Sequence, residues 1–157
     1  MKKTIMAVAS LFAVFPAHAG WQGTDWGQTP AQAIAASSVV LHKPTADDMT
    51  SGENGQVGAA GKISVGGEQG SVSVFFKNNR LIRVQIVFMG GKPAVILDAM
   101  SGKYGAPFGN ESSFSNGCLT NAYRWQNGND SIRMSVICGG SITAILYSPL
   151  KANAEGL

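Results

Sequence analysis

The chain has 157 residues, 45% of them hydrophobic and 13% charged, with a formal net charge of +3. Two of its 12 basic residues, Lys2 and Lys3, sit in a leader; without them ten Lys and Arg face nine Asp and Glu, a balance of +1. No basic block remains, which argues against nucleic acid or an anionic membrane as the main partner.

In the leader, Lys2 and Lys3 precede an apolar run over residues 5–15, and Ala17-His18-Ala19 is a small-x-small cleavage signal. Residues 1–19 therefore read as a secretory signal peptide cut near Ala19, too short for a membrane span. No cysteine lies near the cut to carry a lipid anchor, and no later apolar run is long enough to cross a bilayer. Residues 20–157 suit one exported domain, periplasmic or secreted. The chain's two cysteines, Cys118 and Cys138, are expected to form a disulfide in an oxidising compartment.

After the leader, Thr29-Pro30-Ala31-Gln32 opens a helix over 30–38, with Thr at the N-cap, Pro at N1 and Gln at N3 to close a capping box. Trp21 and Trp26 before it read as a lid on the helix or the core edge. Residues 45–62 hold four glycines and no periodicity, which predicts a long loop. Asp47, Asp48 and Glu53 in it lack the spacing of a calcium loop. Residues 63–65 make a short strand. SVSVFFK and LIRVQIVF then flank Asn78-Asn79-Arg80. A three-residue loop there sets Phe76 opposite Ile82, Val74 opposite Val84 and Val72 opposite Ile86 on the core side. Phe75 then faces Arg83 on the other side.

Pro93 starts a second helix whose apolar stripe is Ile96, Leu97, Met100 and Tyr104, ended by Gly105 and Pro107. Residues 108–117 read as a polar loop. A three-stranded antiparallel meander follows, with CLTNAYRW and SIRMSVIC flanking NGND, and GGS leading to ITAILY. A three-residue loop at Asn127-Gly128-Asn129 sets Cys118 opposite Cys138, Ala122 opposite Met134 and Arg124 opposite Ile132. Ile132, Met134, Val136, Ile142, Ala144 and Leu146 then share the core face. Tyr123, Trp125, Arg133 and Tyr147 point the other way.

The helix openings match at an offset of 63, pairing Pro30 with Pro93, Ile34 with Leu97, Leu41 with Tyr104 and Pro44 with Pro107. The expected fold is α+β: a tandem α-β-β-β repeat, about 26–89 and about 90–150, forming one antiparallel sheet of about six strands. Two helices cover one face. The open face carries Phe75, Arg83, Tyr123, Trp125, Arg133 and Tyr147, the candidate binding residues. Aromatics and arginines are enriched at binding hot spots. The alternative is that they brace the strands as cross-strand pairs, or lie under the Gly-rich loop.

Gly27-Gln28-Thr29-Pro30-Ala31-Gln32-Ala33, ending at Pro44, resembles the G-M-T-x-x-Q-V helix opening of the small outer-membrane-assembly lipoprotein family (SmpA/OmlA-like), with Gln28 and Ala33 in place of Met and Val. A tandem α-βββ unit with an open aromatic sheet face is also similar to the beta-lactamase-inhibitor-protein fold. The resemblance implies a small exported binding protein without catalysis.

The residues themselves carry little chemistry. His42 is the one histidine after the leader, and no nucleophile elbow, H-E-x-x-H, P-loop or Cys-x-x-Cys motif occurs. His42 beside Lys43-Pro44 reads as a surface or cap residue at the end of the first helical segment. Asp98 faces solvent on the second helix, and Gly90-Gly91 makes a strand-to-helix turn. No cofactor or metal is expected. The leading expectation is a non-enzymatic protein-binding or inhibitor module whose partner is an envelope or secreted protein. The competing ones are a small envelope hydrolase with His42 as base, and a structural envelope protein.

Overall fold

The computed structural model of the protein describes residues 20–48 and 55–150. The leader lies outside the described residues, as do 49–54, with Glu53, and the tail after Leu150.

Helix α1, Pro30–Ala36, forms where its cap dictates. The backbone N–H of Thr29 donates to Gln32 Oε1 (2.9 Å), and Gln32 N–H donates back to Thr29 Oγ1 (3.4 Å). Two donors otherwise orphaned at a helix start are thereby satisfied. Helix α2, Pro93–Tyr104, ends at Gly105, whose φ of 83° suits a residue without a Cβ.

Eight antiparallel strands make one sheet: β1 (Leu41–His42), β2 (Gln56–Val65), β3 (Glu68–Lys77), β4 (Arg80–Met89), β5 (Gly109–Ser115), β6 (Cys118–Asn127), β7 (Asp130–Ile137) and β8 (Ile142–Pro149). Their order is β1-β2-β3-β4-β8-β7-β6-β5. The last strands of the two halves meet at the centre, and β1 and β5 form the edges. α1 and α2 bury Ala33, Ile96 and Met100 in one apolar cluster with the sheet. The other face of the sheet is open of helices.

The sheet is thus larger than the six strands expected, because Leu41–His42, read as the end of the first helical segment, and 109–115, read as loop, are strands, while the strand expected over 63–65 starts back at Gln56 in a segment read as loop. In β2, Gly58 and Gly61 weaken the strand signal for reasons of packing. A Cβ on Gly58 would lie 2.6 Å from Phe76 Cδ2, and one on Gly61 would lie 2.6 Å from the Val40 carbonyl oxygen. β5 is an edge strand with its side chains almost all exposed, so no apolar alternation marks it. The first helix is also shorter than expected. Leu41 and His42 belong to β1, while Tyr104, aligned with Leu41 by the 63-residue offset, closes α2.

Turn geometry decides the rest. Between β3 and β4 the loop has two residues, Asn78 and Asn79, at φ 51° and 61°. Such a turn matches the twist of a hairpin. A bulge between Phe75 and Phe76 leaves Ile82 without a partner and restores the expected register beyond it: Val74 opposite Val84, Val72 opposite Ile86, Phe75 opposite Arg83. Between β6 and β7 the loop is again two residues, Gly128 and Asn129, with no bulge to compensate. Every pair is displaced by one from the expected register, so Trp125 faces Ile132 and Tyr123 faces Met134. The same shift continues across β8, where Tyr147 faces Ile132 and Ile145 faces Met134.

Cys118 and Cys138 are bonded, with Cα atoms 4.8 Å apart. They are not directly opposite, since Cys138 lies just past β7 in a single 3-10 turn, Cys138–Gly140. That turn carries the chain into β8.

Core packing on the helix side is tight around Phe88. A Cβ on Gly70 would come within 2.7 Å of Phe88 Cε1 and 2.8 Å of Ile86 Cγ2. Gly70→Ala is therefore expected to destabilise by about 1–3 kcal/mol through overpacking. The check is a lower urea midpoint at an unchanged m value.

Candidate functional site

The alternation of a strand places its residues on two faces, and the register just described sorts the six candidate residues between them. Trp125 and Tyr147 lie on the helix side and are 2% and 5% exposed. The Trp125 Nε1–H donates to the Gly105 carbonyl at the end of α2 (2.8 Å). The Tyr147 hydroxyl is 3.5 Å from that of Tyr104, and its ring is 6.4 Å from that of Trp21. Burial and the neighbouring Tyr104 push the Tyr147 phenol far above its ordinary value, so it stays neutral. Tyr123 is half-buried beside Trp125, their ring centroids 6.4 Å apart. The expectation that these three aromatics share the open face is corrected: the one-residue shift turns them into the core.

Arg83 and Arg133 do lie on the open face. Phe75 is on that side too, but it is 1% exposed, beneath Arg83. The guanidinium carbon of Arg83 stands 4.3 Å from the Phe75 ring centroid, a cation–π contact that fixes the side chain. Arg83 Nε is buried and has no hydrogen-bond partner among the described residues. Burial also works against its charge, lowering its pKa from the ordinary value. Arg133 is exposed, and Glu111 on β5 holds it at 3.2 Å and Arg124 at 2.7 Å.

Between the two arginines the sheet dips. A depression of about 280 Å³ is lined by Arg83, Gln85, Arg133, Ser135, Ile137, Ala144 and Leu146. Its floor is the open side of β8, which pairs with β4 on one flank and β7 on the other. Ala144 and Leu146 reach it only because β8 is shifted; the expected register would have put them in the core. The signal that would have found them is the Gly128-Asn129 pair, since a glycine in the first of two loop positions marks a tight hairpin. The strand itself was ambiguous, because Ile142-Ala144-Leu146 and Thr143-Ile145-Tyr147 are both largely apolar.

A larger depression, about 610 Å³, runs beside α1 and is lined by Thr29, Pro30, Ala31, Ile34, Lys43, Pro44, Gly58 and Asn79. Lys43 is its one charged residue, so it offers apolar contact with little direction. His42 is exposed on β1, its Nδ1 2.8 Å from the Lys43 carbonyl oxygen. Asp48 is engaged by Thr45, whose backbone N–H and hydroxyl hydrogen-bond to Oδ2. The Thr45 backbone bond holds this carboxyl below its ordinary range. Among the described residues no three His, Cys, Asp or Glu side chains gather as metal ligands would. No helix among them is long and apolar enough to cross a membrane.

Set against known proteins, the chain matches no family model, no curated protein and no solved structure.

Proposed function

We propose that the protein is an exported, non-enzymatic protein-binding or inhibitor module that uses the open face of its sheet. The observation that carries this is the depression between Arg83 and Arg133: an apolar floor of Ile137, Ala144 and Leu146, edged by two guanidinium groups, Gln85 and Ser135. Arginines beside apolar contact area are the composition of a binding hot spot. A solvated sheet face has no use for a partly desolvated arginine whose Nε has no partner among the described residues. The leader and the Cys118–Cys138 bond support export to an oxidising compartment. The Gly27–Ala33 opening, similar to that of small envelope proteins, points to the same class.

The two halves, each a helix followed by four strands, read as copies of one unit whose last strands pair at the sheet centre. On that reading the depression sits close to the junction of the copies.

The test uses the exported protein as bait on envelope extract, beside Arg83→Ala with Arg133→Ala, and Lys103→Ala on α2 as a control. Any partner retained by wild type is then titrated against all three. The double variant is expected to weaken it by about 2 kcal/mol, roughly 30-fold in Kd, while Lys103→Ala leaves it unchanged. Equal affinity for wild type and double variant would reject the open face as the binding surface.

A further inference from the structure

The first described residues are fastened to the fold more firmly than a chain end requires. Trp21 is 2% exposed and Thr24 is fully buried. Thr24 Oγ1 and its backbone N–H both donate to the Trp21 carbonyl, at 2.6 and 3.0 Å. Gly27 N–H donates to Leu81 O (2.9 Å), and Leu81 N–H donates to Gln28 O (2.8 Å), tying the segment to β4. At its head, Gly20 has no room for a side chain, because a Cβ there would lie 1.8 Å from the Thr24 carbonyl oxygen.

The backbone N–H of Gly20 lies close enough to the carboxylate of Asp130, the first residue of β7, to favour its charged form. Asp130 is 4% exposed, and its Oδ1 accepts the Trp26 Nε1–H at 2.7 Å. These partners are neutral donors. The nearby titratable groups are the phenols of Tyr147 and, beyond it, Tyr104, and on the segment itself the carboxyl of Asp25, whose Cα would lie 3.1 Å from a Cβ on Gly20. A carboxylate taken out of water without a positive charge is costly, and burial does raise this one above the ordinary aspartate range. The sequence supplies the missing charge. A cut after Ala19 converts the Gly20 N–H, already close to Asp130, into an α-ammonium.

We propose that Asp130 is the buried counter-ion of the α-ammonium created at Gly20 when the leader is removed, so that maturation closes an ion pair locking residues 20–28 onto the sheet. The proposal rests on the export reading for the position of the cut. The bond broken is the Ala19–Gly20 peptide, with water supplying the new carboxylate and amine. Before the cut, Asp130 faces a neutral amide and burial dominates. After it, the ammonium draws the Asp130 pKa down, and the carboxylate holds the ammonium pKa up. The mature protein then gains stability between those two values. It loses it as pH falls through the depressed carboxyl pKa, and as pH rises through the raised amine pKa.

The experiment begins with the mass of the exported protein, expected to start at Gly20. Protein starting at Gly20 is compared with the same chain retaining Ala19, and the Gly20 amine is titrated by NMR using a ¹⁵N-labelled glycine. The expected results are an amine pKa about one unit above the ordinary 7.7–8.0 and a folding constant about ten-fold higher than with Ala19 retained. Asp130→Asn is expected to abolish both differences. Should that variant fail to fold, the amine is titrated in Asp25→Asn: a pKa still raised assigns the pair to Asp130, and one that falls to the ordinary value overturns it. An exported chain that begins elsewhere overturns the processing step. An amine titrating at its ordinary value, in a chain that does begin at Gly20, overturns the ion pair and leaves the export reading intact.

Discussion

Trp125→Ala is expected to cost about 3–5 kcal/mol, a large share of the roughly 5–15 kcal/mol that stabilises a typical domain. The side chain is 2% exposed and stands across from Ile132, with its indole N–H on the Gly105 carbonyl. Truncation leaves a cavity between β6 and the end of α2, and it orphans the carbonyl at that helix end. Arg133→Ala, in the adjacent strand but on the opposite face, removes an exposed pair with Glu111 and is expected to stay within about 0.5 kcal/mol. Urea unfolding of the oxidised protein measures both. The contrast tests the register directly, because a shift of one residue would put Trp125 on the face of Arg133. Similar small losses for the two variants would overturn the register described here.

Reduction of Cys118–Cys138 is expected to cost about 3 kcal/mol, the loop-closure entropy of a segment of about 21 residues. The bond joins the start of β6 to the turn that leads from β7 into β8, so it clamps the half of the sheet that carries Arg133. Non-reducing mass spectrometry should show two hydrogens fewer than in the reduced chain. Cys118→Ser with Cys138→Ser should lower the urea midpoint by the same amount as reduction. If the oxidised and reduced proteins unfold at one midpoint, the bond contributes nothing, and the strands alone hold this corner.

The two predictions separate what could be read along the chain from what could not. Both helices were legible in their punctuation. Thr29, Pro30 and Gln32 satisfy the first turn of α1 with groups local to it, and Pro93 and Gly105 bracket α2. Such signals act within a few residues, so no distant contact is needed to read them. The disulfide was legible for a different reason: two cysteines near the ends of paired strands leave one partner each.

β5 and the first seven residues of β2 were illegible for opposite reasons. β5 has hardly any buried side chains to show a period, and its one local sign was Asn116-Gly117, whose φ values of 50° and 75° make the tight turn into β6. β2 is crowded. Its glycines exist to let Phe76, Pro30 and the Val40 carbonyl come close, and those neighbours are distant in sequence.

By itself, then, the sequence determined the helix starts and the end of α2, the places of two hairpin turns without their lengths, the pairing of the cysteines and an α+β sheet with apolar and polar sides. Which side each aromatic takes was decided by the tertiary structure. A strand period of two means that one residue more or less in a turn exchanges the faces. At Asn78-Asn79 a bulge absorbs the difference, so Phe75 and Arg83 stand where local pattern put them. At Gly128-Asn129 nothing absorbs it. Trp125 and Tyr147 go under α2, and Ala144 and Leu146 come out between the two arginines. β8 is apolar on both sides, so its own residues cannot choose. The choice is made by the large rings, which bury more area against Met100 and Gly105 of the helix layer than Ala144 and Leu146 would.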